Sequence, residues 1–131
     1  MDLMEYFNNK EGFGVLSTSD DQGKVDAAAY AKPHVIDEDH VAFIMGDKLS
    51  YYNLTKNPYA VYLFREDSEG YEGQRLYLKK ESETEEQETI KNTCKTAWPG
   101  PYRGEKYLQN SFLVTFKVET LRPLVVYEDK E

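Results

Sequence analysis

Gly46-Asp47-Lys48-Leu49-Ser50-Tyr51-Tyr52-Asn53-Leu54-Thr55-Lys56-Asn57-Pro58-Tyr59-Ala60-Val61-Tyr62-Leu63-Phe64 is the stretch on which the reading of the whole chain turns. It follows an apolar, strand-like run, Val41 to Met45. It then reads as a turn, a short helix over residues 50–57 and a second strand. Asp47 or Ser50 offers a short side-chain oxygen to the free N–H groups of the first turn, as helix caps do. Leu54 faces inward. Asn57-Pro58 ends the helix, because a residue before proline is pushed out of the α region. At the helix entry, free backbone amides, the positive end of the dipole, Lys48 and the Ser50 hydroxyl can converge, which suits a phosphate. The same features fit an ordinary capped surface helix with a solvated lysine, since every helix has such an end.

Upstream, Leu3, Met4 and Phe7 recur at helical spacing on one face, and Gly12 ends that element. Phe13 to Ser19 reads as a strand, followed by an Asp20-Asp21-Gln22-Gly23 hairpin turn whose glycine can take the positive φ such turns require. A second strand is expected from Val25 to about Ile36. Its centre, Ala27-Ala28-Ala29-Tyr30-Ala31, is rich in a poor strand former. The preceding hairpin turn and Pro33 nevertheless argue against helix. Small side chains there leave space above the backbone, to be filled by a neighbour's bulk or by a flat ligand lying on the peptide edge.

Downstream, His40–Met45, Tyr59–Arg65 and Gln74 to about Ser82 read as strands by alternation. Glu81, Glu83, Glu85, Glu86 and Glu88 read as the solvated, acidic start of a helix running to about Lys95, which complements the dipole. Without spaced histidine or asparagine ligands they do not read as a metal site. Residues 97–104 hold two prolines and two glycines and form an aromatic loop around Trp98. Phe112–Glu119 and Leu124–Tyr127 close the chain as strands around Pro123. Six or seven short strands in mostly hairpin order, with few peripheral helices, describe a small antiparallel barrel.

The 131 residues suit one domain, 1–131, without repeat or linker. Eleven tyrosines and six phenylalanines favour a β-rich core. A net charge of −8 argues against nucleic acid or an anionic membrane as partner. No apolar run approaches a membrane span, and Asp2 and Glu5 do not suit a signal peptide. The lone Cys94 permits no internal disulfide, so a cytoplasmic protein with a passive thiol is the expectation. His34 and His40 flank one turn, form no ligand pair at a known spacing, and are expected at the surface or an edge. No glycine-rich phosphate loop, nucleophile elbow or zinc cluster is present.

The string Phe43-Ile44-Met45-Gly46-Asp47-Lys48-Leu49-Ser50, then Asn53-Leu54 and Asn57-Pro58 before a strand, resembles the pyridoxamine 5′-phosphate oxidase-like flavin-binding split-barrel superfamily. The resemblance runs from the Gly14–Thr18 strand to the Phe112–Phe116 strand, and the Asn-Leu-x-x-Asn-Pro step is its most specific part. It implies a mainly β, six-stranded antiparallel split barrel with peripheral helices. It also implies a homodimer with flavin mononucleotide (FMN) at each subunit interface. By position, Lys48, Leu49 and Ser50 would hold the phosphate. Ala28, Ala29 and Tyr30 would lie along the ring or ribityl chain. Leu49 interrupts the basic pair common near the phosphate in such proteins. The arginine-rich pocket of the true oxidases has no clear counterpart; Arg103 is the one spare cation. An FMN-dependent oxidoreductase with an unassigned small-molecule substrate is therefore expected. Its alternative is a non-catalytic flavin store or sensor on the same fold. A deazaflavin or haem in the same groove has no supporting motif.

Overall fold

A computed structural model describes residues 1–97 and 110–126. The aromatic loop with Trp98 and Arg103, and Tyr127, lie outside the described residues; Cys94 falls within helix α3. The elements run α1 (Leu3–Asn9), β1 (Gly12–Ser19), β2 (Val25–Ala29), β3 (His34–Asp37), β4 (His40–Gly46), α2 (Leu49–Lys56), β5 (Tyr59–Glu66), β6 (Gly73–Thr84), α3 (Gln87–Ala97) and β7 (Ser111–Pro123). The strands form one antiparallel sheet in the order β2-β1-β5-β6-β7-β4-β3.

The expected strand from Val25 to Ile36 is in fact two strands, which makes seven rather than six. β2 and β3 occupy opposite margins of the sheet, yet only residues 30–33 separate them. The five Cα–Cα steps from Ala29 to His34 span at most about 18 Å, so the sheet must curl until its margins approach each other. Pro33, which cannot donate to a ladder, sits in that crossing. Lys32 fixes the crossing to the end of α1. Its ammonium donates to the carbonyls of Phe7 (2.8 Å) and Lys10 (3.0 Å) and to Glu11 Oε1 (3.2 Å).

The interior of the curl is the core. Leu16, Val41, Met45, Tyr62, Phe64, Leu76, Val114 and Phe116 are fully buried there. Leu3 and Phe7 of α1 cover one end of it, whereas Met4 points to solvent. α1 ends at Lys10 in an extended conformation, and Gly12 opens β1 instead of closing the helix. A side chain at Gly14 would start 1.9 Å from the Tyr62 hydroxyl and 2.6 Å from the Tyr30 carbonyl. Glycine is therefore required where the crossing meets the barrel. Gly23 has φ 83° in the β1–β2 turn, as that turn demands.

Three further expectations are corrected. The first half of the acidic stretch continues β6 to Thr84, because its residues find partners on β7 as far as Leu113. The C-terminal part is one long strand to Pro123 where two were expected. His34 is 2% exposed and belongs to the core. Burial lowers its pKa to about 4, so it is neutral near pH 7.

Candidate functional site

The Asn-Leu-x-x-Asn-Pro step has a direct mechanical meaning. Asn53 Nδ2 donates to Thr18 Oγ1 at 3.0 Å, both side chains being buried, and this bond seats α2 on β1. Leu54 enters the core. The Asn57 N–H closes the helix on the Asn53 carbonyl at 2.9 Å, and its side-chain oxygen accepts from the Tyr59 N–H at 3.0 Å, starting β5. α2 thereby packs against β1, β2 and β4.

The helix begins one residue earlier than expected, with Lys48 in the N-cap position and no side-chain cap. Neither Asp47 nor Ser50 serves as the cap. The Asp47 carboxylate turns to the Tyr52 hydroxyl, whose pKa it raises by that hydrogen bond. The first intrahelical bond is Tyr52 N–H to the Lys48 carbonyl at 3.1 Å. The amides of Leu49, Ser50 and Tyr51 are therefore outside the helix ladder. Ser50 is 4% exposed, beneath this open end, while Lys48 and Leu49 are exposed.

β2 supplies the other half of the expected site. Tyr30 N–H bonds the Gly14 carbonyl and Asp20 N–H bonds the Lys24 carbonyl, which fixes the phase of the β1–β2 ladder. Tyr30, Ala28 and Asp26 thus direct their peptide groups to β1. Ala27 and Ala29 direct theirs to the outer edge of the sheet. Ala28 is half-buried opposite Leu16; Ala29 is exposed on the other face. The Tyr30 ring packs edge-on against Phe43 (5.8 Å, 86°), and the Tyr62 hydroxyl donates to its carbonyl at 3.1 Å. The fold thus brings α2 and β2 side by side. It packs the Tyr30 ring against the core and leaves both the peptide edge and the small side chain of Ala29 exposed.

One set of residues escaped the sequence reading. Tyr51, in the first turn of α2, stacks on Phe112 (4.0 Å, 10°) and donates to Glu83 Oε2 at 2.5 Å. That hydrogen bond pushes the Tyr51 hydroxyl pKa up to about 12. Lys80 binds the other oxygen of Glu83 at 2.5 Å and lies 5.7 Å from the Tyr51 ring centroid. This clip ties the open end of α2 to β6 and β7. It was hidden because Glu83 reads as part of a helix start. A separate open groove of about 870 Å³ lies between α1, β3 and β7, away from α2 and β2.

No family model matches the chain, and no curated protein matches it. Solved structures do. An FMN-binding protein from Syntrophomonas wolfei subsp. wolfei superposes with a TM-score of 0.75 at 21% identity, over 96% of this chain and 88% of the other. An F420 reductase gives 0.71 at 14% identity, over 90% and 94%. A Clostridium acetobutylicum protein of the pyridoxinephosphate oxidase family gives 0.65 at 14% identity, over 92% and 86%. The chain therefore has the split-barrel fold that these structures share. No helix among the described residues is long and apolar enough to cross a membrane.

Proposed function

We propose that this protein binds FMN at the open end of α2 and the outer edge of β2, as a homodimeric oxidoreductase acting on a small molecule. The observation that carries the reading is the start of α2. Its first three amides lie outside the helix ladder over a buried Ser50 hydroxyl, and Lys48 supplies a cation in a chain of net charge −8. Such an end receives a phosphate. The alanine-lined edge of β2 beside it admits a planar ring, and the peptide groups at Ala27 and Ala29 can hydrogen-bond its rim. Bound flavin supplies the redox chemistry; the chain orients and solvates it.

A second copy is supported by the outer face of the sheet. Val15 on β1 lies beside Ala29 on β2 and Leu63 on β5, with Val61 in the next row, and Phe13 and Val25 are 61% and 82% exposed. Ser17, Ser19 and Arg65 share this face, but Val15, Ala29, Leu63 and Val61 form a contiguous apolar patch on it, of the kind interfaces use. The same face includes β2, so a partner seated there borders the proposed flavin site.

The test is titration of FMN with micromolar protein, read by fluorescence quenching. Absence of quenching refutes the reading. The Lys48→Ala, Ser50→Ala double variant should bind about 10- to 100-fold more weakly, the scale of losing one charge-assisted and one neutral hydrogen bond. Unchanged affinity would place the phosphate elsewhere. Oxidation of a reduced nicotinamide by the loaded protein separates an oxidoreductase from a flavin carrier or sensor.

A further inference from the structure

We propose that His40 is a proton-operated latch. As imidazolium it ties the β3–β4 turn to β6 across the intervening strand β7, closing one wall of the 870 Å³ groove; as the neutral ring it lets that turn go. The proposal stands apart from the flavin reading, since the groove and the latch lie away from α2 and β2.

Three carboxylates from two parts of the chain converge on one ring. His40 Nδ1 is 2.8 Å from Asp37 Oδ1 and 2.9 Å from Asp39 Oδ1, and Nε2 is 2.8 Å from Glu81 Oε1. The ring satisfies all of them only when both nitrogens carry protons, because a neutral imidazole has a single N–H. Both sheet irregularities nearby serve this geometry. The β6–β7 register shifts between Lys80 and Ser82, which re-aims Glu81 over β7. The β3–β4 register shifts between Val35 and Asp37, which swings Asp37 and Asp39 towards the ring.

Among the described residues the other charges near this ring are few. Lys117 is the partner of His40 on β7 and Lys79 lies beyond it on β6; both oppose the imidazolium, although Lys79 is drawn over the Tyr59 ring. Glu38 in the turn and Glu119 on β7 line the neighbouring groove. Hydrogen bonding to Asp37 leads the effects that raise the His40 pKa, against a smaller desolvation effect. A raised folded-state value means the latch is fully present below the unfolded value of about 6.5 and is lost as pH rises through the folded one.

The part released is small. Among the described residues β3 is a margin strand paired with β4 alone, and Asp37, Glu38 and Asp39 line the groove with Val118 and Glu119. A backbone tie that spans the same gap is the Val118 N–H, which donates to the Asp39 carbonyl at 2.7 Å. That amide reports the opening.

The experiment follows hydrogen exchange of the Val118 amide, corrected for its intrinsic pH dependence, together with the His40 ring-proton shift. Protection should fall about threefold or more as His40 loses its proton, the scale of an exposed ion-pair contact. His40→Gln should show low protection at every pH, and Glu81→Gln should move the midpoint to lower pH. The proposal is overturned if Val118 protection stays level through the His40 titration. It is equally overturned if His40→Gln keeps the wild-type pH dependence, or if Glu81→Gln leaves the midpoint where it was.

Discussion

Replacing Gly14 by alanine tests how the barrel closes. The new methyl would sit 1.9 Å from the Tyr62 hydroxyl, 2.4 Å from its ring carbon and 2.6 Å from the Tyr30 carbonyl. Tyr62 cannot step aside. It is fully buried, with the Phe43 ring 5.0 Å away and Phe7 and Phe64 both at 6.4 Å. Overpacking of this kind costs about 1–3 kcal/mol, and displacing the hydroxyl forfeits the hydrogen bond to Tyr30 for about 1 more. A loss of about 3 kcal/mol lowers Tm by about 10 °C for a chain of this size. Tyr62→Phe alone should cost about 1 kcal/mol. In the double variant the hydrogen bond is removed only once and the atom nearest the new methyl is gone, so the total should fall at or below that of Gly14→Ala alone. That corresponds to a coupling of at least about 1 kcal/mol in the cycle. Urea unfolding followed by far-ultraviolet circular dichroism measures all four corners. A Gly14→Ala protein within about 0.5 kcal/mol of wild type, or strictly additive effects, would refute the close approach of crossing and barrel.

Asn53→Ala should destabilise by about 1–3 kcal/mol in the same assay, because it strands the buried Thr18 hydroxyl; unchanged stability would show that α2 is seated by Leu54 alone. His34 gives a pH dependence of opposite sign to His40. Its folded pKa, about 4, lies below the unfolded value, so the unfolded chain binds more protons and stability falls as pH drops from about 6.5 to about 4. The loss is at most about 3 kcal/mol, and a His34→Phe variant whose unfolding remains equally acid-sensitive would contradict it. Val15→Lys should convert a dimer to monomers in sedimentation equilibrium; a wild-type protein that sediments as a monomer at every concentration would remove the interface.

What could be read from the sequence follows the physics of neighbours. Alternation over Tyr59–Arg65, the hairpin turn ending at Gly23 and the Asn57-Pro58 stop are decided within a few residues; the turn and the stop lie where expected, and the strand runs one residue further, to Glu66. The break after Ala29 was not legible. A strand that ends and one that merely passes a proline look alike until the sheet's margins are known. His34 was expected at the surface or an edge; it does lie on the margin strand β3, and only its burial was not legible, because the crossing beside it is a property of the closed barrel. Glu81 and Glu83 looked solvated because their partners, His40 and Tyr51, stand some 30 to 40 positions earlier. For the candidate site, the Lys48–Ser50 turn was visible as a helix entry. That Asp47 turns to Tyr52 and leaves the entry uncapped needed the coordinates.

The crossing at residues 30–33 has a bearing on how such a molecule can be taken apart. A single backbone cut between Ala31 and Lys32 breaks no rung of any strand pair, yet it severs the tether that holds the two margins together. Pieces 1–31 and 32–131 would still share the β1–β5 seam and the grip of Lys32 on α1. Whatever stability the reassembled pair lacks is the worth of closure itself, isolated from the worth of the sheet.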